Sequence, residues 1–264
     1  MNKWASIGAC AASVVVLTSV AGCGTPTNSN SSATSGTSSE PTLIMATSAD
    51  YKPYEYHDTS GGQDQIVGFD VDVANAIAKQ LHFKIKIEDM NFDSLIGALQ
   101  SKRADFVIAG MTATPERKKS VDFSNVYYQA TNVVLTKKGV NIKTMDDLKG
   151  DKVAAQLGSI QETAAKAIPN VQLDSIDTIP DVVQEVATGR ATAAVIENTV
   201  ATGYVKSDPQ LQINTIKGMT ANGSAIAFPK GSKWTAKFNT AIATLKKDGE
   251  LQKLSNKWFG GQNA

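Results

Sequence analysis

Phe106-Val107-Ile108-Ala109-Gly110-Met111-Thr112-Ala113-Thr114-Pro115-Glu116-Arg117 is the stretch that decides the fold. Its apolar start reads as a buried strand, and Gly110 lets the backbone turn. Thr114 followed by Pro115 is a helix start, the hydroxyl as cap and the ring at the first position. A strand that hands over to a helix this quickly belongs to an α/β protein, and ligands sit at strand ends in such sheets. Gly110 permits close backbone approach, Thr112 adds a hydroxyl, and Arg117 offers a planar fork suited to a carboxylate. A plain helix cap with Arg117 in a surface ion pair accounts for the same residues equally well.

Outward from this stretch, the hydrophobic period switches repeatedly between about 2 and about 3.6, as α/β chains do. Strands are expected at 42–47, 84–88, 106–109, 133–136, 152–155, 193–196 and 225–228. Helices fall between them. Asp70 can cap one that buries Val73, Ala74, Ile77, Ala78 and Leu81, and Asp93 can cap another through Leu95, Ile96 and Leu99. Pro180 opens a third that stops at Gly189, and a further apolar face runs from Trp234 to Leu245.

Two more strand ends carry polar groups. Gln156-Leu157-Gly158-Ser159-Ile160-Gln161-Glu162 leads from a strand into a helix, where the free amides of Ser159 and Ile160 favour an anion. Neither GxxxxGK[ST] nor GxGxxG is present, so a phosphate loop or nucleotide cofactor is not indicated. Glu197 ends the run Ala193-Ala194-Val195-Ile196, where it can accept from an α-ammonium group or simply cap the next helix. Tyr51 and Phe92 each follow a strand and can reach the same rim, although most aromatic rings are core.

Composition narrows the classes. The 264 residues carry 26 Lys plus Arg against 25 Asp plus Glu, a net charge of +1, which argues against a nucleic-acid binder. Two Cys and two His cannot build a four-ligand zinc cluster of the usual Cys or Cys/His kind. At the N-terminus, Lys3 and the run AASVVVLTSVAG read as an export signal over residues 1–22, too short to span a bilayer. Residues 24–40, GTPTNSNSSATSGTSSE, lack any large apolar side chain and read as a flexible Ser/Thr-rich tether. The tetrapeptide Val20-Ala21-Gly22-Cys23 resembles the lipobox of bacterial lipoproteins, which implies cleavage and lipidation at Cys23. Only Cys10 would leave with the signal, so the folded body has no thiol for redox chemistry.

The body as a whole, residues 41 to about 260, resembles the polar amino-acid substrate-binding proteins of bacterial ABC importers (extracellular solute-binding proteins, family 3). The matching segments are TSADYKPYEY, IVGFDVDVA, MNFDSLIGALQ, AGMTATPERKKSVDFS, DDLKGDKVAAQLGSIQE, AAVIENTVA and LQKLSNKWFGG. Among subgroups the chain is most similar to arginine-binding lipoproteins, with glutamine binders close behind. The resemblance implies an α/β, two-lobed periplasmic-binding-protein-like fold with two crossover hinge strands: residues 41–130 plus 225–264 in one lobe, 131–224 in the other. It also implies a monomer, lipid-anchored on the extracellular face of the membrane, that captures a free L-amino acid by hinge closure and delivers it to an ABC permease. Arg117 would grip the α-carboxylate with help from Thr112, Ser159 and Ile160. Gly110 and Glu197 would take the α-ammonium, with Tyr51 and Phe92 flanking the side chain.

Ser48 and Ala109 stand where some binders of basic amino acids have Asp and Ser, so a guanidinium would need another acid, Glu55 or Glu162. Gln156 replaces a Lys found in some glutamine binders, which leans toward a cationic ligand. No enzyme is expected: a small-carboxylate dehydratase on the same scaffold is the rival, and it needs a positioned acid or base. His57 and His82 lie outside the three ligand segments, leaving Glu197 as the one candidate base.

Overall fold

The computed structural model describes residues 40–216, 219 and 223–260. The expected signal, tether and Cys23 lie outside the described residues, apart from Glu40. The described residues form one compact unit.

In chain order the strands are β1 (Thr42–Thr47), β2 (Asp50–Tyr51), β3 (Glu55–Asp58), β4 (Gln65–Val67), β5 (Lys84–Asp89), β6 (Phe106–Val107), β7 (Val121–Phe123), β8 (Asn132–Lys137), β9 (Lys152–Gln156), β10 (Gln172–Ile176), β11 (Ala193–Glu197), β12 (Leu211–Asn214) and β13 (Ala227–Pro229). The helices are α1 (Phe69–Leu81), α2 (Leu95–Gln100), α3 (Pro115–Ser120), α4 (Ile160–Lys166), α5 (Ile179–Thr188), α6 (Asn198–Ser207), α7 (Trp234–Lys247) and α8 (Glu250–Phe259).

Two five-stranded sheets organise these elements. The first runs β5-β1-β6-β13-β7 and the second β10-β9-β11-β8-β12, while β2, β3 and β4 form a small antiparallel sheet. In the first, β1 is parallel to β5 and β6; in the second, β9 is parallel to β10 and β11. The chain passes between the sheets twice, and the two passages pair antiparallel at Tyr128 and Ser224. This is a two-lobed α/β fold of the periplasmic-binding-protein kind, one sheet to each lobe. The carboxyl ends of β1, β6 and β9 deliver Ser48, Ile108 and Leu157 to the loops beyond them, as parallel strands of such sheets do, and β11 runs straight into α6 at Asn198.

Apolar spacing explains the packing. Val73, Ala74, Ile77 and Ala78 are the buried stripe of α1, and Phe238, Ala241, Ile242 and Leu245 that of α7. Phe83, Phe106 and Phe228 close on Phe238 at ring separations of 5.7, 5.2 and 5.0 Å, joining strands to helix in one core.

Several boundaries depart from the sequence expectation, each for a local reason. Asp70 does not cap α1; Gly68 occupies that position, and the Asp70 side chain turns inward, fully buried. Asp93 lies in a short 3₁₀ turn, and α2 begins at Leu95 without a side-chain cap. α7 ends at Lys247 with Asp248 as its cap, and Gly249, in the left-handed region, heads α8. His57 is on β3, bridging Asp64 at 2.8 Å and Asp89 at 3.1 Å. The short strands β2, β3, β4 and β7 leave no trace in the periodicity, because two to four residues are too few to establish one.

Gly68 sets how the small sheet meets α1. Its φ is +143°, and a Cβ there would lie 2.0 Å from the Tyr54 carbonyl oxygen, an impossible approach. Tyr54, Glu55 and Asp70 all take their places from this junction. Gly68→Ala should therefore lower unfolding stability by about 2 kcal/mol or more, read by urea denaturation; an unchanged midpoint would mean the junction is not constrained as described.

Candidate functional site

The strand-end loops of the two lobes face one another across a narrow cleft lined by Ser48, Asp50, Tyr51, Glu55, Phe92, Ala109, Gly110, Thr112, Arg117, Gln156, Ser159, Ile160 and Gln161. Eight of the nine residues picked out from sequence thus meet in one place. Glu197 does not line it. Its carboxylate instead caps α6, accepting from the Thr199 amide at 3.3 Å and from the Thr199 hydroxyl. The capping alternative is what the structure contains.

Arg117 is held as the sequence suggests and by more besides. Thr114 caps α3, accepting from the Arg117 amide at 3.2 Å, so the helix start fixes where the side chain leaves. The guanidinium donates to the Thr112 carbonyl at 2.9 Å and to the Gly158 carbonyl, on the opposite lobe, at 2.8 Å. Its carbon stands 5.2 Å from the Phe92 ring centre, a cation–π contact. Phe92 thus braces the arginine as well as walling the cleft. Burial pulls the Arg117 pKa down to about 10, and it remains a cation at neutral pH. Two of its five N–H donors are spent on carbonyls, which leaves three for an incoming carboxylate.

The facing loop is less open than expected. The Ser159 amide already donates to the Gln156 carbonyl at 3.2 Å, and the Ser159 hydroxyl caps α4 by accepting from Glu162 N. Gln156 donates to the Asp177 carbonyl. Gly158, at φ +74°, lets this loop approach Asp93 so closely that a Cβ would sit 3.0 Å from the Asp93 Cβ.

Acid is the dominant feature of the other wall. Asp70 accepts from the Gly110 amide at 2.8 Å and from the Tyr127 hydroxyl at 2.9 and 2.8 Å, which fixes the turn after β6. Glu55 is fully buried and lines the cleft, and its two oxygens receive no hydrogen bond from any N–H or O–H among the described residues. Asp50 accepts from the Ile179 amide at 3.0 Å, joining the small sheet to the start of α5 in the other lobe. Glu162, the other acid considered for a guanidinium, is half-buried and already occupied by the Gly158 amide and the Ser175 hydroxyl. Sequence reading misses Asp50 and Asp70 as site-forming groups; the signal available is their place at the end of TSAD and inside GFDVD, where acids interrupt otherwise buried runs.

A narrow cleft between two α/β lobes, with a bound guanidinium on one wall and buried carboxyls on the other, defines a receptor for a small polar solute. The chain belongs to the bacterial extracellular solute-binding proteins, family 3, whose pattern it matches over residues 43–261. It is 46% identical over 267 residues to the arginine-binding extracellular protein ArtP of Bacillus subtilis (strain 168), covering 99% of this chain and 100% of that one. Among solved structures, the substrate-binding protein of an amino acid ABC transporter aligns at 47% identity with a TM-score of 0.80, covering 83% of this chain and 99% of that one. An ancestral arginine-binding protein bound to arginine aligns at 41% identity and a TM-score of 0.79, over 84% and 100%; an ancestral arginine-binding protein bound to glutamine aligns at 41% and 0.77, over 84% and 99%.

The crowding of acids has a thermodynamic signature. Burial above all raises Glu197 to about 7 and Asp50 to about 6, and raises Asp70 and Glu55 as well. In the unfolded chain these groups return to about 4. Between about pH 4 and 7 the folded protein therefore holds more protons than the unfolded chain, and its stability must fall as pH rises through that window. His57, raised by its hydrogen bonds to Asp89 and Asp64, acts in the same direction, because the stability it contributes is present at low pH and lost on deprotonation. Calorimetric melting of ligand-free protein should give a higher Tm at pH 5 than at pH 7.5. A profile that rises with pH would mean these carboxyls are not held out of water.

Proposed function

We propose that the protein is a lipid-anchored extracellular receptor for a basic L-amino acid, with arginine as the first choice, and that it closes on its ligand by a hinge and passes it to an ABC permease. The observation that carries the ligand class is Glu55. A carboxyl buried in the cleft wall, with no hydrogen-bond donor among the described residues, is a group for which a cationic side chain would be the natural partner. Asp50 on the same wall adds to the surplus of acid over the single cation Arg117. The relatives named for arginine support the same choice.

In this reading Arg117 takes the α-carboxylate with its three remaining donors, and the Thr112 hydroxyl assists. The Gly110 carbonyl takes the α-ammonium; Glu197, lying behind the cleft, adds its field. Tyr51, stacked on Tyr54 at 5.3 Å, forms a flat wall for the ligand side chain. Hinge movement would occur in the two passages that pair at Tyr128 and Ser224, and ligand contacts to both lobes would shift the balance toward the closed form. Glutamine is the second reading, favoured by the likeness to an ancestral arginine-binding protein bound to glutamine. Binding without covalent chemistry is part of the proposal, since each polar group of the cleft finds a use in holding charge.

A thermal-shift panel of the common amino acids tests the ligand: at 100 times its Kd a ligand stabilises by about 2.7 kcal/mol, and the largest shifts should come from arginine. A response to glutamine alone would reverse the choice. In calorimetry Arg117→Ala should cost about 3–5 kcal/mol of affinity, because a desolvated carboxylate would lose its counter-charge; near-native affinity would remove Arg117 from the site. The anchor is tested separately: Cys23→Ser should move the protein from the membrane fraction to the culture medium, and retention on membranes would count against lipidation there.

A further inference from the structure

Glu55 and Asp70 are both fully buried, and the Asp70 amide donates to the carbonyl of Tyr54, the residue before Glu55, at 2.9 Å, which makes the two acids close neighbours. Two buried carboxylates this close repel, and one must carry a proton. The donors decide which. Asp70 is supplied as an anion by the Gly110 amide and the Tyr127 hydroxyl, whereas Glu55 has no such donor among the described residues. These donors favour Asp70 as the anion and Glu55 as the acid that keeps the proton.

We propose that the Glu55–Asp70 pair is a proton-exchange site: a cationic ligand side chain entering the cleft displaces the Glu55 proton to solvent and takes its place as counter-charge. The inference rests on the reading of the cleft as a basic amino-acid site. The exchange balances. The Glu55 O–H bond breaks, the proton goes to water, and the carboxylate so formed accepts from the ligand cation, while Asp70 keeps its Gly110 and Tyr127 bonds. No other partner is needed.

The surroundings favour this traffic. Facing Glu55 are Asp70 on α1, Asp50 on β2 and Glu197 at the end of β11, all acids that oppose a second negative charge. Tyr51, Tyr54 and Tyr127 are held neutral by burial among them. Arg117 lines the same cleft, but its guanidinium bonds are to the Thr112 and Gly158 carbonyls and not to Glu55. A neutral side chain such as that of glutamine brings no charge to offset ionised Glu55, so it leaves the proton in place. Selectivity for basic over neutral ligands then depends on pH. Arginine affinity gains with rising pH while the pair still carries its proton in the free protein, and glutamine affinity lacks that gain.

Calorimetry of wild-type protein with arginine and with glutamine, at pH 7 in phosphate and in Tris, reads the exchange directly, because the two buffers take up a released proton with different heats. Arginine should release about one proton more than glutamine, and any proton expelled from Glu197 by the α-ammonium is common to both ligands and cancels. Glu55→Gln, which is neutral like the protonated acid, should keep the fold and abolish the arginine release. Should one ligand or the variant fail to bind, wild-type arginine affinity measured from pH 6 to 8 decides alone, rising by up to about tenfold per pH unit if the exchange operates. Equal release for both ligands, or arginine affinity independent of both buffer and pH, would overturn the proposal while leaving the binding role intact. Absence of heat with every basic amino acid would instead refute the reading of the cleft.

Discussion

A carboxylate taken out of water must be supplied with donors, and the way Asp70 meets that requirement organises the binding wall. Its oxygens take the Gly110 amide and the Tyr127 hydroxyl. The first bond orients the turn after β6 and so the Gly110 and Thr112 groups on which a solute would rest. The second ties that turn to the passage between the lobes, where Tyr127 and Tyr128 lead toward β8. Because the bonds are made in a buried site, losing either would leave a polar group without water or partner, at a cost of about 1–3 kcal/mol.

Strand-end chemistry is the most legible part of the chain. Thr114-Pro115 announces a helix with no help from tertiary structure, since cap and ring act within one turn, and the side chain of Arg117 follows from it. The stripes of α1 and α7 are equally plain, because burial on one face leaves a 3.6-residue trace. Gly110, at positive φ, stands where its residue type permits a close backbone approach, and a Cβ there would meet the Tyr51 ring at 3.0 Å.

What sequence does not give is pairing at long range. Asp70 reads locally as a helix cap, and only the fold reveals that its partners are 40 and 57 residues away. Glu197 illustrates the reverse: two local roles are open, ligand acceptor and helix cap, and the Thr199 hydrogen bonds satisfy the second. Between Glu55 and Glu162, spacing offers no choice. Burial does, because Glu162 finds donors in its own loop and in Ser175, whereas Glu55 finds none among the described residues.

Among the described residues, three polar contacts span the lobes near the cleft: Arg117 to the Gly158 carbonyl, Asp50 to the Ile179 amide, and Asn91 to Asp177 at 3.3 Å. They arise from loops after different strands, so no one of them can part far while the others hold. Parting the loops of the two lobes would break all three, so contacts from separate parts of the chain act as one shared brace across the cleft.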